Sequence, residues 1–295
     1  MLYLITSILL STGIFVLFQR FQHWGVHTFQ AIVINYGVAA LLGWNLAGGW
    51  NQFKTVWPAQ WVIIALLMGG LFIYLFQLIA KSTQSIGVTV TSIAAKLSMV
   101  IPVALFLLFD PSDSLTWQKG MAISLSIPAI ILASWKPEQR GKQRKWLIPL
   151  IIFIGSGMID LMFAGFSGSN FMTSVNDRYL FASLPLITAF ICGMVWWLIK
   201  SGKSSMNWFP NASTIASGLT LGVINFGSLY FLLETYDKVS IDRSAVMPIN
   251  NLGIILASSA CSLAILKESL FRRNYIGLIL GMLSILLLLW SEIIE

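Results

Sequence analysis

The chain is 295 residues long, 57% hydrophobic, only 10% charged, and carries a net charge of +7. A soluble domain has about 25% charged residues, so this composition excludes a soluble enzyme, and the mean hydropathy of +0.82 agrees. The basic excess does not call for nucleic acid as a partner, because basic loops facing an anionic membrane leaflet account for it. Cys192 and Cys261 both lie in apolar blocks and read as packing residues, not as a disulfide or metal site. No cluster of His, Cys and carboxylate residues has metal-ligand spacing, and no phosphate-cradling GxxxxGK(S/T) run is present. No metal, nucleotide or other cofactor is expected.

Ten apolar blocks follow one another: 2–18, 28–47, 60–79, 88–109, 118–135, 146–165, 179–199, 212–233, 243–265 and 275–291. Each is close to the ~20 residues that cross a bilayer as a helix. A lone strand cannot satisfy its backbone in lipid, so the expected fold is all-α. The first block lacks a basic lead and a small-residue cleavage site, so it is expected to be a retained helix. Aromatic residues gather at block ends, among them Trp24, Trp44, Trp57, Trp117, Trp135, Trp146, Trp208, Tyr275 and Trp290. That is the pattern of an interfacial belt.

The most polar linker is 136–145, with basic residues Lys136, Arg140, Lys142, Arg144 and Lys145. It divides the chain into 1–135 and 146–295, each with five blocks. The halves share signals at a constant offset of 155. Ser85-Ile86 matches Ser240-Ile241, and Asp113-Ser114-Leu115 matches Glu268-Ser269-Leu270. Gly120 and Gly277 follow two residues out of step, and Ser11-Thr12-Gly13 matches Gly155-Ser156-Gly157. An internal repeat is therefore expected. Five spans is an odd number, so the second copy enters the membrane in the opposite sense, as in the inverted repeats of secondary transporters.

Loop charge sets an expected orientation. One side holds Arg20, Lys81, the five basic linker residues, Lys200, Lys203, Lys267, Arg272 and Arg273. The side bearing both termini holds Lys54, Lys119, Arg178, Lys238 and Arg243, together with most of the acids. The positive-inside rule places the 136–145 linker in the cytoplasm and both termini outside. The expected location is the cytoplasmic (inner) membrane of a bacterial cell, as a multi-pass protein.

The segments "KLSMVIPVALFLLF" at 96–109, "GSGMID" at 155–160 and "LAILKESLFRRNYIGLILGMLSILLLL" at 263–289 carry a resemblance over essentially the whole chain. The sequence resembles the drug/metabolite transporter superfamily in its EamA/RhaT-like branch. The resemblance implies ten helices in two inverted five-helix repeats and a secondary carrier of small metabolites. It implies no particular substrate. The 110–113 segment, Asp-Pro-Ser-Asp, departs from the Gly-Glu pair common in the family. The superfamily's smallest members place an essential carboxylate in their first span, and Asp160 resembles that group by repeat position, opposite Val16.

Two ionisable residues lie at membrane depth: Lys96 in the fourth block and Asp160 in the sixth. Such a group costs a few kcal/mol on insertion scales and usually faces a cavity or a partner. A Lys96–Asp160 ion pair and a substrate or proton role are both open readings. Asn250 and Asn251 in the ninth block align with Ala95 and Lys96. Pro102 and Pro248 each remove a helix hydrogen bond, and helix breaks at depth point to a transport site. Tyr74, Gln77, Asn225 and Tyr230 add polar and aromatic groups that either stack on a substrate or fill the core. The candidate substrate-binding or proton-coupling residues are thus Lys96, Asp160, Asn251, Asn250, Tyr74 and Tyr230. Gly277 and Gly281 form a GxxxG that packs inside the bundle or dimerises.

The expected function is secondary active transport of a small metabolite, such as an amino acid or sugar, by alternating access, with protons as the candidate coupling ion. Expected partners are the small-molecule substrate, protons and membrane lipids. The alternatives are a membrane-embedded lipid-modifying enzyme, for which His23 and His27 offer only a sparse cluster, and a non-transporting scaffold.

Overall fold

The computed structural model describes residues 1–49, 60–109, 115–135, 146–167, 175–203, 209–238 and 243–294. Among these residues there is no strand. The helices are α1 (Leu2–Phe21), α2 (Thr28–Leu46), α3 (Gln60–Ser85), α4 (Val88–Leu97), α5 (Val100–Phe109) and α6 (Trp117–Ala133). They continue with α7 (Leu147–Ser167), α8 (Val175–Lys203), α9 (Ala212–Lys238), α10 (Arg243–Ala264) and α11 (Arg272–Ile294). Among the described residues, eight segments are long and apolar enough to cross a membrane, with α4 and α5 forming one of them, Val88–Phe109. Two shorter apolar helices are Trp117–Ala133 and Leu147–Phe163. This is the build of a helical membrane protein. The linker 136–145, the 110–113 acids and the Ser240-Ile241 pair lie outside the described residues.

Helix ends follow from local chemistry. The third block was expected to stop near residue 79, but α3 runs on to Ser85. Its polar tail bonds back to its own backbone: Thr83 Oγ1 donates to Ile79 O at 2.7 Å and Ser85 Oγ to Lys81 O at 2.7 Å. Gly87 then turns the chain with φ of +132°, a value that disfavours side chains. Pro102 acts four residues upstream. It has no N–H for the Ser98 carbonyl and crowds it, so Ile101 N–H takes that carbonyl instead, at 2.9 Å. The span is therefore divided between Leu97 and Val100. Pro248 behaves differently from the expected break, since α10 is continuous through it. It lies in the second turn, where its missing N–H costs one bond, to Ser244, close to the helix start.

The chain forms two compact units. The first comprises Met1–Gln19, Leu78–Leu161 and Ser228–Glu295; the second comprises Arg20–Gln77 and Met162–Gly227. Both draw on each half of the sequence.

Within the first unit, α4 packs on α10 and α6 on α11. The α4–α10 pair is antiparallel: Ser258 Oγ meets Ser92 Oγ at 2.7 Å, while Asn251 Nδ2 meets Met99 Sδ at 3.4 Å. The α6–α11 pair is antiparallel too. Asn274 Nδ2 donates to Ala133 O at 2.6 Å near one end, and Ser284 Oγ to Ala122 O at 2.7 Å further along. Small residues let these helices close up. Gly277 lies against the Ala129 carbonyl and the Ala133 backbone, and Gly281 against Ile93 and Ala129. The GxxxG face is thus used inside the unit. Asn274 also reaches Leu132 O and Trp135 O and accepts from Phe271 N, so one amide satisfies the α6 C-terminus and the α11 N-terminus.

In the second unit α2 packs antiparallel on α8, with Val33 against Gly193, Gly37 against Phe190 and Gly43 against Ser183. A fully buried Tyr36 donates to Phe72 O at 2.9 Å and packs against Phe72 and Phe76.

Candidate functional site

Asp160 takes its position from the faces of α7. Leu147, Ile151, Ile154 and Met158 are exposed and form the outer stripe, while Ile152, Phe153 and Gly157 are buried. Asp160 follows Gly157 by three residues and Phe153 by seven, so it lies on the inner face. Gly157 brings that face close, because any β-carbon there would run into Ile101 of α5.

Lys96 sits two residues before the α4–α5 division. The α4 residues from Val88 through Ala94 are buried, whereas Ala95 and Lys96 keep partial exposure. The Lys96 charge interacts with that of Asp160, although the described structure shows no direct ion pair between them. The direct partner of Asp160 is Ser98, whose Oγ lies 2.7 Å from Oδ2. Tyr236 of α9 also lies within the electrostatic reach of Asp160. The site thus contains a cation, a carboxylate, a hydroxyl and a phenol at a helix break.

The other expected residues separate. Asn251 is 4% exposed and donates to Met99 beside the break. Asn250 is 2% exposed and meets Ser7 Oγ at 3.2 Å, while Ser7 donates to Ser228 O at 2.9 Å. That contact ties α1, α9 and α10 together. Tyr230 is half-buried and packs edge-on against Phe231. Tyr74 belongs to the second unit and is 47% exposed, on a stripe with Ile63, Leu66 and Leu67. Aromatic identity alone did not distinguish an outer face from an inner one.

Glu268 has a definite task. It lies in the turn after α10 and accepts from Thr89 N and Thr89 Oγ1 at 3.4 Å, and from Ser262 Oγ. A carboxylate at a helix N-terminus meets unsatisfied N–H groups and the positive end of the dipole. Gly87 makes room for it, since a β-carbon there would occupy the place of Glu268 Oε1. His27 is likewise structural. Its Nδ1 accepts from Gln30 N at 3.4 Å and caps α2, and its own N–H donates to Thr214 Oγ1 at 3.0 Å. Burial holds its imidazole below the usual range, and the charge of Lys200 adds to that.

Sequence reasoning missed Ser98, Tyr236, Ser92 and Ser258. Ser98 had a signal: it stands four residues before Pro102, where a helix carbonyl loses its donor.

No protein-family model matches the chain. A protein of Haemophilus influenzae described as uncharacterized is 23% identical over 301 aligned positions, covering 98% of this chain and 98% of that protein. A solved crystal structure covers 97% of this chain and 94% of its own, with a TM-score of 0.57 and 14% identity. That likeness is one of fold, and it extends along nearly the whole chain.

Proposed function

We propose that the protein is a secondary active transporter of a small metabolite, working by alternating access and coupled to protons. In this reading it has ten membrane spans in two inverted five-helix repeats, 1–135 and 146–295, as the resemblance to EamA/RhaT-like carriers implies. The observation that carries the proposal is the antiparallel packing of helices that are repeat mates by position. An axis in the membrane plane turns each mate upside down, so mates that meet must meet antiparallel. The pairs α2–α8, α4–α10 and α6–α11 hold corresponding positions in the two halves, and all three pack antiparallel.

The α4–α10 register supports a second step. In the contacts of Ser92 with Ser258 and Met99 with Asn251, the two residue numbers total 350 in each case. A residue then meets the one 155 further on at the Leu97–Ser98 boundary. That is where the span divides, beside Lys96 and the Ser98–Asp160 contact. A transport site at the repeat interface, formed by a discontinuous helix, is a recurrent design. Lys96 would attract an anionic or zwitterionic substrate, and Asp160 would carry the proton.

The test is uptake and efflux of a metabolite mixture by proteoliposomes across a pH gradient. Transport should appear with the wild type, fall with Lys96→Met, and lose its pH dependence with Asp160→Asn. Absence of any moved metabolite, or an unchanged pH profile in both variants, overturns the proposal. We also propose that the 136–145 linker is cytoplasmic and the termini external. In a background with Cys192 and Cys261 replaced by Ser, an impermeant maleimide should label Glu295→Cys and spare Gly141→Cys in intact cells. The reverse pattern would invert the assignment.

A further inference from the structure

Thr89, Ser92 and Lys96 recur at intervals of three and four on α4, so they form one stripe, and Met99 follows three residues on, just past the helix end. Asn251, Ile255, Ser258 and Ser262 form the matching stripe on α10. The stripes face one another, with hydroxyl–hydroxyl contact at Ser92–Ser258. At the far end Glu268 binds both stripes, through Thr89 and Ser262. Thr89, Ser92, Ser258 and Ser262 are each at most 1% exposed. A buried row of hydroxyls thus begins at one carboxylate and leads toward Lys96, whose charge interacts with a second carboxylate, Asp160.

We propose that this row is a proton path, with Glu268 as the acid at its mouth and Asp160 as the acceptor at its deep end. The proposal rests on the proton-coupled reading of the Asp160 site. The spacing suits it. Ser262 to Ser258, and Ser92 to Lys96, are steps of four residues, about 6 Å along the helix axis. A water molecule with bonds of about 2.8 Å on each side bridges groups set about one turn apart. Along the row each hydroxyl or water oxygen accepts one proton and releases another, and the Lys96 ammonium gives a proton toward Asp160 through water before its amine takes up the one that arrives, so no charge change is left on the row. The net change is that the Glu268 carboxyl becomes a carboxylate and the Asp160 carboxylate becomes a carboxyl. Glu268 then reloads from water. Lys96 and Tyr236 are the charged and titratable groups that interact with Asp160, and Ser98 is its hydrogen-bond partner. Ser92 Oγ also lies 3.0 Å from Thr89 O and Ser258 Oγ 3.2 Å from Ile255 O. Back-bonding of this kind is what purely structural serines make, so the test must separate the two roles.

The experiment is infrared difference spectroscopy on the reconstituted full chain after a pH jump, with protons as the probe. The Asp160 carboxyl band is assigned as the band lost in Asp160→Asn. Glu268→Gln keeps an oxygen for Thr89 and Ser262 but cannot exchange a proton. It should slow the appearance of the Asp160 band at least roughly ten-fold, with the final amplitude unchanged. Ser258→Ala should slow it as well, and Ser258→Thr, which keeps the hydroxyl, should restore the rate. Unchanged rates, equal slowing by Ala and Thr, or an Asp160 band that never responds to pH each overturn the path. If either serine variant fails to fold by circular dichroism, Glu268→Gln alone decides. The readout needs no substrate, so a failed transport screen and a failed proton path remain distinguishable.

Discussion

Ser98 Oγ lies 2.7 Å from Asp160 Oδ2 and 2.8 Å from the Ala95 carbonyl, yet a serine has a single proton to give. With Asp160 ionised, Ser98 donates to the carboxylate. With Asp160 protonated, the carboxyl donates to Ser98 and Ser98 donates to Ala95. One pair of atoms therefore accommodates both protonation states without rearranging the helix. Ser98→Ala should leave the fold intact and shift the carbonyl band of protonated Asp160 in the infrared. An unmoved band would show that the two side chains do not touch.

Gly87→Ala is expected to destabilise the first unit. A side chain at φ of +132° costs about 1–3 kcal/mol, and the new methyl would displace Glu268 from the α4 N-terminus. Gly70→Ala is the control. Gly70 is helical, with nothing within 4 Å of an added β-carbon, so helix propensity should make that change neutral or favourable by up to about 1 kcal/mol. Thermal melts in detergent measure the difference.

The α6–α11 contact gives a second stability prediction. Gly277→Ala should cost about 1–3 kcal/mol, because the methyl meets the Ala133 backbone, which cannot rotate away. Asn274→Ala should cost about 1–3 kcal/mol by leaving buried carbonyls of α6 without a donor. The two sites are one helical turn apart and share Ala133, so the double variant should be non-additive. Additive losses in a double-mutant cycle would argue against a shared contact.

His27 predicts a pH effect on stability. Its folded pKa lies below 6.5, the value for an unfolded chain, mainly through burial. The unfolded state then binds the proton more readily, so stability is full above pH 6.5 and falls as the pH drops through the folded pKa. Protonation at Nδ1 also removes the acceptor that caps α2. His27→Asn, a good cap that does not titrate, should flatten the melting temperature below pH 6.5. Persistence of the acid loss in that variant would assign it to another group.

Much of the fold was legible because hydrophobic length alone specifies a spanning helix. Block edges at 28, 60, 88, 212 and 243 coincide with helix starts. The polar end of α3 was not legible, since Lys81 to Ser85 read as loop until their back-bonds are seen. Lys96 and Asp160 stood out because charge is rare at depth. Their hydroxyl partners did not, because serine is common in packed membrane helices and its role depends on what it faces. Tyr74 and Asn250 show the same limit: helix position fixed their depth, and only packing determined their direction.

The α6–α11 seam restricts how the first unit can change shape. Glycine on backbone leaves no layer of flexible side chains to slide, and the Asn274 clasp and the Ser284 bond hold the register at both ends. These two helices behave as a single stave. The α4–α5 span contains the opposite element, a joint of two residues where the helical ladder is already interrupted. Bending there meets a ladder already short of the Pro102 bond, whereas shearing the stave would break several. Any rocking of this unit should therefore pivot at Ser98 and Met99, so that the residue holding the Asp160 proton is also the one that turns.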